Sequence, residues 1–200
     1  MTRRLKAPDN RVVLGVGGSG KSYLVKHWLK KRRHVVVFNT AAEADYERPG
    51  CVVVNDRHAL VRALQVRANR ISWRGDDMSV EAWEFVNRAV WCAEGYTLVW
   101  EEADQFWPPS KAPQWASNLV NQGRHRGIRL IACSRRPAVL SRTLTANARV
   151  VAFATVEPRD LMYMRERMGA AAARLPDLPR WTALDHAPPA EAVVKKSPFA

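Results

Sequence analysis

Short apolar runs alternate with longer amphipathic stretches from about residue 11 to residue 169. The runs Val12–Val16, His34–Phe38, Cys51–Val54, Arg70–Trp73, Tyr96–Trp100, Ile128–Cys133 and Val150–Ala154 are rich in β-branched residues and read as strands. Continuous rather than alternating apolar character predicts strands buried on both faces. Between them, apolar residues recur at three and four spacing over Lys21–Lys31, Arg57–Val66, Val80–Ala93, Gln114–Gly123 and Pro158–Met168, which predicts helices. The alternation predicts an α/β fold with a mostly parallel central sheet and helices on both faces. From Pro176 the pattern changes, because Pro176, Pro179, Pro188, Pro189 and Pro198 interrupt helices and central strands. One domain over residues 1–175 is expected, followed by a proline-rich C-terminal tail over 176–200. The tail reads as frayed and solvated, with Trp181 placed to pin it to the body and Lys195-Lys196 placed to touch a partner.

The chemistry concentrates at Gly15-Val16-Gly17-Gly18-Ser19-Gly20-Lys21-Ser22, a G-x-x-x-x-G-K-[ST] loop between an apolar strand and an amphipathic helix. Glycines at these positions let backbone N–H groups point into one concavity, and the following helix adds partial positive charge. Lys21 is placed to reach the β- and γ-phosphates and Ser22 to ligate Mg²⁺, and Tyr23 follows at the rim, so the loop is expected to bind ATP. Gly15, Gly17 and Gly20 also spell a dinucleotide G-x-G-x-x-G. That reading fails downstream, where the next strand ends Phe38-Asn39-Thr40 instead of with the acid that would hold a ribose.

A second apolar strand, Thr97-Leu98-Val99-Trp100, stops at Glu101-Glu102-Ala103-Asp104. Carboxylates at the C-terminal end of a buried strand face the ligand crevice of such sheets. Glu101 is placed to hold Mg²⁺ through water, and Glu102 to orient and deprotonate an attacking water. Asp104 reads as a solvated or helix-capping residue, and a plain surface loop is the alternative for the whole tetrad.

Composition sharpens this picture. Lys and Arg number 32 against 19 Asp and Glu, a net charge of +13 in 200 residues, which points to a polyanionic partner. Between Asp104 and Glu157 there is no carboxylate, yet Lys111, Arg124, Arg126, Arg129, Arg135, Arg136, Arg142 and Arg149 fall there. Arginine forks suit phosphate, so Arg135, Arg136 and Arg142 are candidate contacts to a nucleic-acid backbone; a solvated basic face is the alternative. No recognition-helix or zinc-finger pattern supports base-specific readout. Cys51, Cys92 and Cys133 are widely spaced and read as small buried hydrophobes of a reducing compartment. No run of about 18 apolar residues is present, so no membrane-spanning segment is expected and the chain reads as soluble and intracellular.

The phosphate loop, the Val99-Trp100-Glu101-Glu102-Ala103 strand end, the turn Gly123-Arg124-His125-Arg126-Gly127-Ile128 and the strand Leu130-Ile131-Ala132-Cys133-Ser134-Arg135-Arg136-Pro137 together resemble the FtsK/HerA superfamily of DNA-pumping ATPases. Small size brings the chain nearest the genome-packaging ATPases of membrane-containing icosahedral viruses. The resemblance spans roughly residues 11 to 155 and implies a single P-loop NTPase domain of the ASCE, RecA-like kind. It implies ATP hydrolysis with Mg²⁺, and assembly into a ring, a hexamer, that drives double-stranded DNA without sequence preference into a preformed capsid. The partners it implies are capsid or portal-vertex proteins, in host cytoplasm or at the virion.

Within that family the arginine of the GR..GI turn serves as a finger on a neighbouring subunit's nucleotide, which maps onto Arg124, with Arg126 as the second candidate. A polar sensor, usually glutamine, follows the next strand; Arg135 stands there instead, able to read γ-phosphate charge but not to accept a hydrogen bond from water. A phage assembly or secretion ATPase, a small nucleotide or nucleoside kinase, and a nonenzymatic DNA-binding switch are the alternatives.

Overall fold

The computed structural model describes residues 10–107, 112–188 and 190–197. Val12, Val13 and Leu14 form the middle of strand β1 (Arg11–Leu14) and are fully buried. The other strands are β2 (Val35–Phe38), β3 (Cys51–Val54), β4 (Arg70–Trp73), β5 (Thr97–Trp100), β6 (Arg129–Ser134), β7 (Arg149–Ala152), β8 (Thr182–His186) and β9 (Val193–Lys196). They form one sheet in the order β3-β4-β2-β5-β6-β1-β7-β8-β9. The strands from β3 to β7 in that order pair in parallel, and β8 and β9 join antiparallel. The chain is thus a single α/β domain with a mostly parallel sheet, as its hydrophobic pattern predicts.

The helices are α1 (Lys21–Leu29), α2 (Arg57–Gln65), α3 (Val80–Ala93), α4 (Gln114–Gln122), α5 (Arg142–Ala146) and α6 (Pro158–Met168). Side-chain caps start three of them: Asp56 accepts from the Ala59 N–H, Ser79 from the Ala82 N–H and Glu157 from the Asp160 N–H. Leu24, Val25, Trp28 and Leu29 of α1 pack on one face of the sheet against Val13, Val37, Val99, Ile131 and Val151. Helices α2, α3, α4 and α6 cover the other face, where Trp83 stacks among Trp100, Phe106 and Trp107 at centroid distances of 4.8, 5.7 and 6.5 Å. Trp83 is fully buried, so Trp83→Ala is expected to cost about 3–5 kcal/mol and lower the melting temperature by roughly 6–20 °C. Thermal denaturation followed by circular dichroism measures it; a change under about 2 °C would contradict this packing.

Three expectations need correction. The run Cys51–Val54 forms an edge strand, not a doubly covered one, and Val52 and Val53 are exposed. The segment after Pro176 carries β8 and β9 where a frayed tail is expected, with Asp177 closing a 3-10 stretch that begins at Gly169. Cys92 is exposed and Cys51 half-buried; only Cys133 is a buried hydrophobe. Lys111 and the prolines at 189 and 198 lie outside the described residues. Among the described residues no helix is long and apolar enough to cross a membrane.

Candidate nucleotide site

Residues 15–20 connect the C-terminal end of β1 to the N-terminus of α1, the geometry that aims backbone N–H groups at an anion. Two glycines there are required by space and conformation. A Cβ on Gly15, at φ +140°, would lie 2.8 Å from Cβ of Phe153, and one on Gly20, at φ +116°, 2.8 Å from the Trp181 ring. The Val16 N–H donates to the Ala154 carbonyl at 3.0 Å, tying the loop to β7. By contrast, the N–H groups of Gly17, Gly18 and Gly20 donate to no carbonyl among the described residues. Lys21 is buried, and its ammonium donates to the carbonyls of Gly15 at 2.7 Å and Val16 at 2.9 Å; burial lowers its pKa.

Strand β6 lies between β1 and β5, so the loop and the acidic strand end face each other across one intervening strand. There a cleft of about 140 Å³ is lined by Gly17, Gly18, Lys21, Ser22, Glu101, Glu102 and Arg135, and by four residues the sequence reading did not single out for it, Ala41, Glu43, Cys133 and Ser134. Glu101 is buried and accepts a hydrogen bond from the Tyr46 hydroxyl; burial raises its pKa. The neighbouring Cys133 thiol is pushed well up by burial, which leaves it an unreactive wall of the cleft. Glu102 sits in the left-handed region at φ +50°, pairs with Arg135 at 2.7 Å and accepts from Gln105 at 2.6 Å. Glu43 pairs with Lys26 at 2.6 Å and lies 3.5 Å from the Ser22 hydroxyl. Asp104 is half-buried, with one carboxylate oxygen buried and unpartnered among the described residues, and it lies inside the 3-10 turn Ala103–Gln105 rather than at its cap.

Ser22, Glu43 and Glu101 offer hard oxygen donors, the set that suits Mg²⁺. Among the described residues no cluster of three or more His, Cys, Asp or Glu side chains forms a metal cage. Mg²⁺ is commonly held by one or two side chains together with water and substrate phosphates. Ser22 and Glu101 would hold it there, where the ion neutralises charge on the phosphate oxygens.

Tyr23 does not line the cleft. Its ring stands edge-on to Trp181 at 4.9 Å, and the Trp181 N–H donates to the Ser19 carbonyl at 3.4 Å. Trp181 thus fastens the C-terminal segment to the phosphate loop, a docking that the position of one aromatic among prolines hints at. The dinucleotide reading fails on topology as well, because β5 and β6 separate β1 from β2. A larger depression of about 370 Å³ between α2 and α3 is apolar, lined by Val61, Leu64, Phe85 and Cys92 among others, and lies apart from this chemistry.

The arginines of the acid-free segment divide into two groups. Arg136 pairs with Asp160 at 3.1 Å and Glu157 at 3.8 Å, Arg142 with Glu166 at 3.3 Å, Arg135 with Glu102, and Arg149 with Asp185. Arg126 pairs with Glu94 and stacks on Trp91 at 4.5 Å, which ties it into its own chain and weakens it as a second finger. These carboxylates come from other parts of the sequence, so a segment without acids is not a face without acids. Arg124 and Arg129 remain exposed with no ion pair among the described residues. Arg124 belongs to the 3-10 turn Gly123–Arg126 just before β6, at the sheet edge opposite the cleft.

No protein-family profile and no curated protein sequence matches the chain. Solved structures do. The genome-packaging NTPase B204 of Sulfolobus turreted icosahedral virus 2, in complex with ATPγS, superposes with a TM-score of 0.80 at 21% identity, covering 96% of this chain and 99% of that one. B204, the DNA-packaging ATPase of Sulfolobus turreted icosahedral virus, gives 0.77 at 22% identity over 98% and 100%. VirB4 of Thermoanaerobacter pseudethanolicus gives 0.64 at 12% identity over 95% and 85%. The chain thus shares the P-loop NTPase fold of these proteins.

Proposed function

We propose that the chain is a Mg²⁺-dependent ATPase that moves double-stranded DNA, acting as a genome-packaging motor for a virus. It works as a ring, a hexamer, against capsid or portal-vertex proteins in host cytoplasm or at the virion. The observation that carries this reading is the convergence of Lys21, Ser22, Glu101, Glu102 and Arg135 on one cleft, in a fold shared nearly end to end with packaging NTPases. In this mechanism the loop N–H groups and Lys21 cradle the β- and γ-phosphates. Glu102 accepts the proton of the attacking water, and Arg135 stays beside the γ-phosphate as a charge sensor. The structural likeness to VirB4 favours a secretion-type ATPase as the second reading.

The test is ATP turnover by the full chain with Mg²⁺, with and without duplex DNA, and with nucleosides and nucleotides as phosphate acceptors. Turnover stimulated by duplex of any sequence, and lost with Lys21→Ala through weakened ATP binding, is the expected result. DNA-independent phosphoryl transfer to a small acceptor would make the protein a kinase. Duplex binding should weaken steeply with salt through counterion release. Strong preference for one sequence at high salt would contradict backbone binding.

A further inference from the structure

Three neighbouring strands begin with arginine: Arg129 on β6, Arg11 on β1 and Arg149 on β7. Each lies two residues before a member of the core under α1, namely Ile131, Val13 and Val151. Side chains two apart on a strand share a face, so the three arginines form a staggered row on the α1 face: Arg11 and Arg149 are register partners, while Arg11 faces Ile131 of β6 and Arg129 lies two residues nearer that strand's start. Two interstrand spacings make the row about 10 Å wide. It lies at the strands' N-terminal edge, opposite the nucleotide cleft.

The row is built, not incidental. The Arg11 guanidinium stacks on Trp28 at 4.2 Å and forms no ion pair among the described residues. Arg149 is fixed by a two-pronged pair with buried Asp185, which Lys195 also contacts at 2.5 Å. Burial, then Arg149 and Arg32, with a smaller contribution from Arg129, lower the Arg11 pKa to about 10. Arg11 and Arg129 form no ion pair among the described residues, and Arg149 shares its single carboxylate, Asp185, with Lys195.

We infer that the Arg11–Arg129–Arg149 row is a seat for the phosphate backbone of a nucleic-acid duplex. Planar guanidinium forks held by an aromatic face and by Asp185 are pre-oriented for phosphate oxygens, and phosphates relieve the mutual repulsion of the arginines. Through Arg11 and Arg129, which form no ion pair among the described residues, with Arg149 held beside them on Asp185, this seat takes the place of the site expected at Arg135, Arg136 and Arg142, whose charges are paired within the chain. It rests on the reading of the chain as a DNA-moving protein.

Duplex binding by fluorescence anisotropy across a salt series tests it in the full chain, comparing wild type, Arg129→Gln, and Arg11→Gln/Arg129→Gln. The control is Arg159→Gln/Arg174→Gln, two exposed charges on the α6 side of the sheet. The log–log salt slope should become shallower by about one for the single variant and about two for the double. Affinity of the double variant should fall at least about tenfold near 0.1 M salt, while the control stays within about twofold. Arg129 is exposed, so the single variant keeps the test valid if the double folds poorly. Wild-type affinity retained in both variants overturns the seat and leaves the DNA reading standing. Failure of the wild type to bind any duplex overturns both. Slowed ATP hydrolysis with unchanged DNA affinity would also overturn it, assigning the row to a neighbouring subunit's triphosphate.

Discussion

Arg124→Ala is expected to bind ATP nearly as tightly as the wild type and to hydrolyse it roughly 10³ to 10⁵ times more slowly. The argument starts from topology. The parallel strands gather the phosphate loop, Glu101 and Glu102 at their C-terminal ends, whereas Arg124 sits in the turn that starts β6, at the other edge. It cannot serve its own chain's cleft, and a ring would bring it to the next one. The turn is held firmly. The Ile128 N–H donates to Gly123 at 2.9 Å, the Gly95 N–H donates to the Arg126 carbonyl at 2.9 Å, and Arg126 is tied to Glu94 and Trp91. Arg124 alone of the turn's two arginines is left to neutralise charge developing on a γ-phosphate. Single-turnover kinetics beside equilibrium ATP binding separates this loss from a binding defect; near-normal turnover would remove Arg124 from catalysis.

Glu102→Gln should retain ATP and lose turnover by roughly 10² to 10⁴, the range for removing a positioned general base. Glutamine keeps the shape and still accepts from Gln105, but it cannot take a proton from water and loses its charge pairing with Arg135. Glu102 occupies a left-handed backbone position, which turns its side chain into the cleft while Glu101, one residue earlier, points down toward Tyr46. Adjacent carboxylates thus have separate surroundings, one buried and one at the cleft wall. Unchanged turnover in Glu102→Gln would shift the base role to Glu43, which lines the cleft beside Glu101 and Glu102.

Apolar runs made the seven parallel strands and five of the helices legible, because a doubly covered strand and an amphipathic helix each leave a periodic trace. Strands β8 and β9 left a weaker one. Their flanking prolines, Pro179 and Pro188, sit in the turns, where proline does not interrupt hydrogen bonding between strands. The phosphate loop and acidic strand end could be read because each is local in sequence. Glu43 could not, since its place at the cleft depends on β2 lying beside β5. Pairing of the arginines was hidden for the same reason: Asp160, Glu166 and Asp185 reach them from segments 24 to 36 residues away.

The central claim is an active site completed by a neighbouring chain, and subunit mixing tests it most directly. Arg124→Ala and Glu102→Gln protomers, each inactive alone, are co-assembled with Mg²⁺ and duplex DNA, and ATP turnover is measured. Some interfaces in the mixture pair an intact Arg124 with an intact Glu102, so partial activity should return. A mixture that stays inactive, with co-assembly verified by native mass measurement, would contradict the shared site.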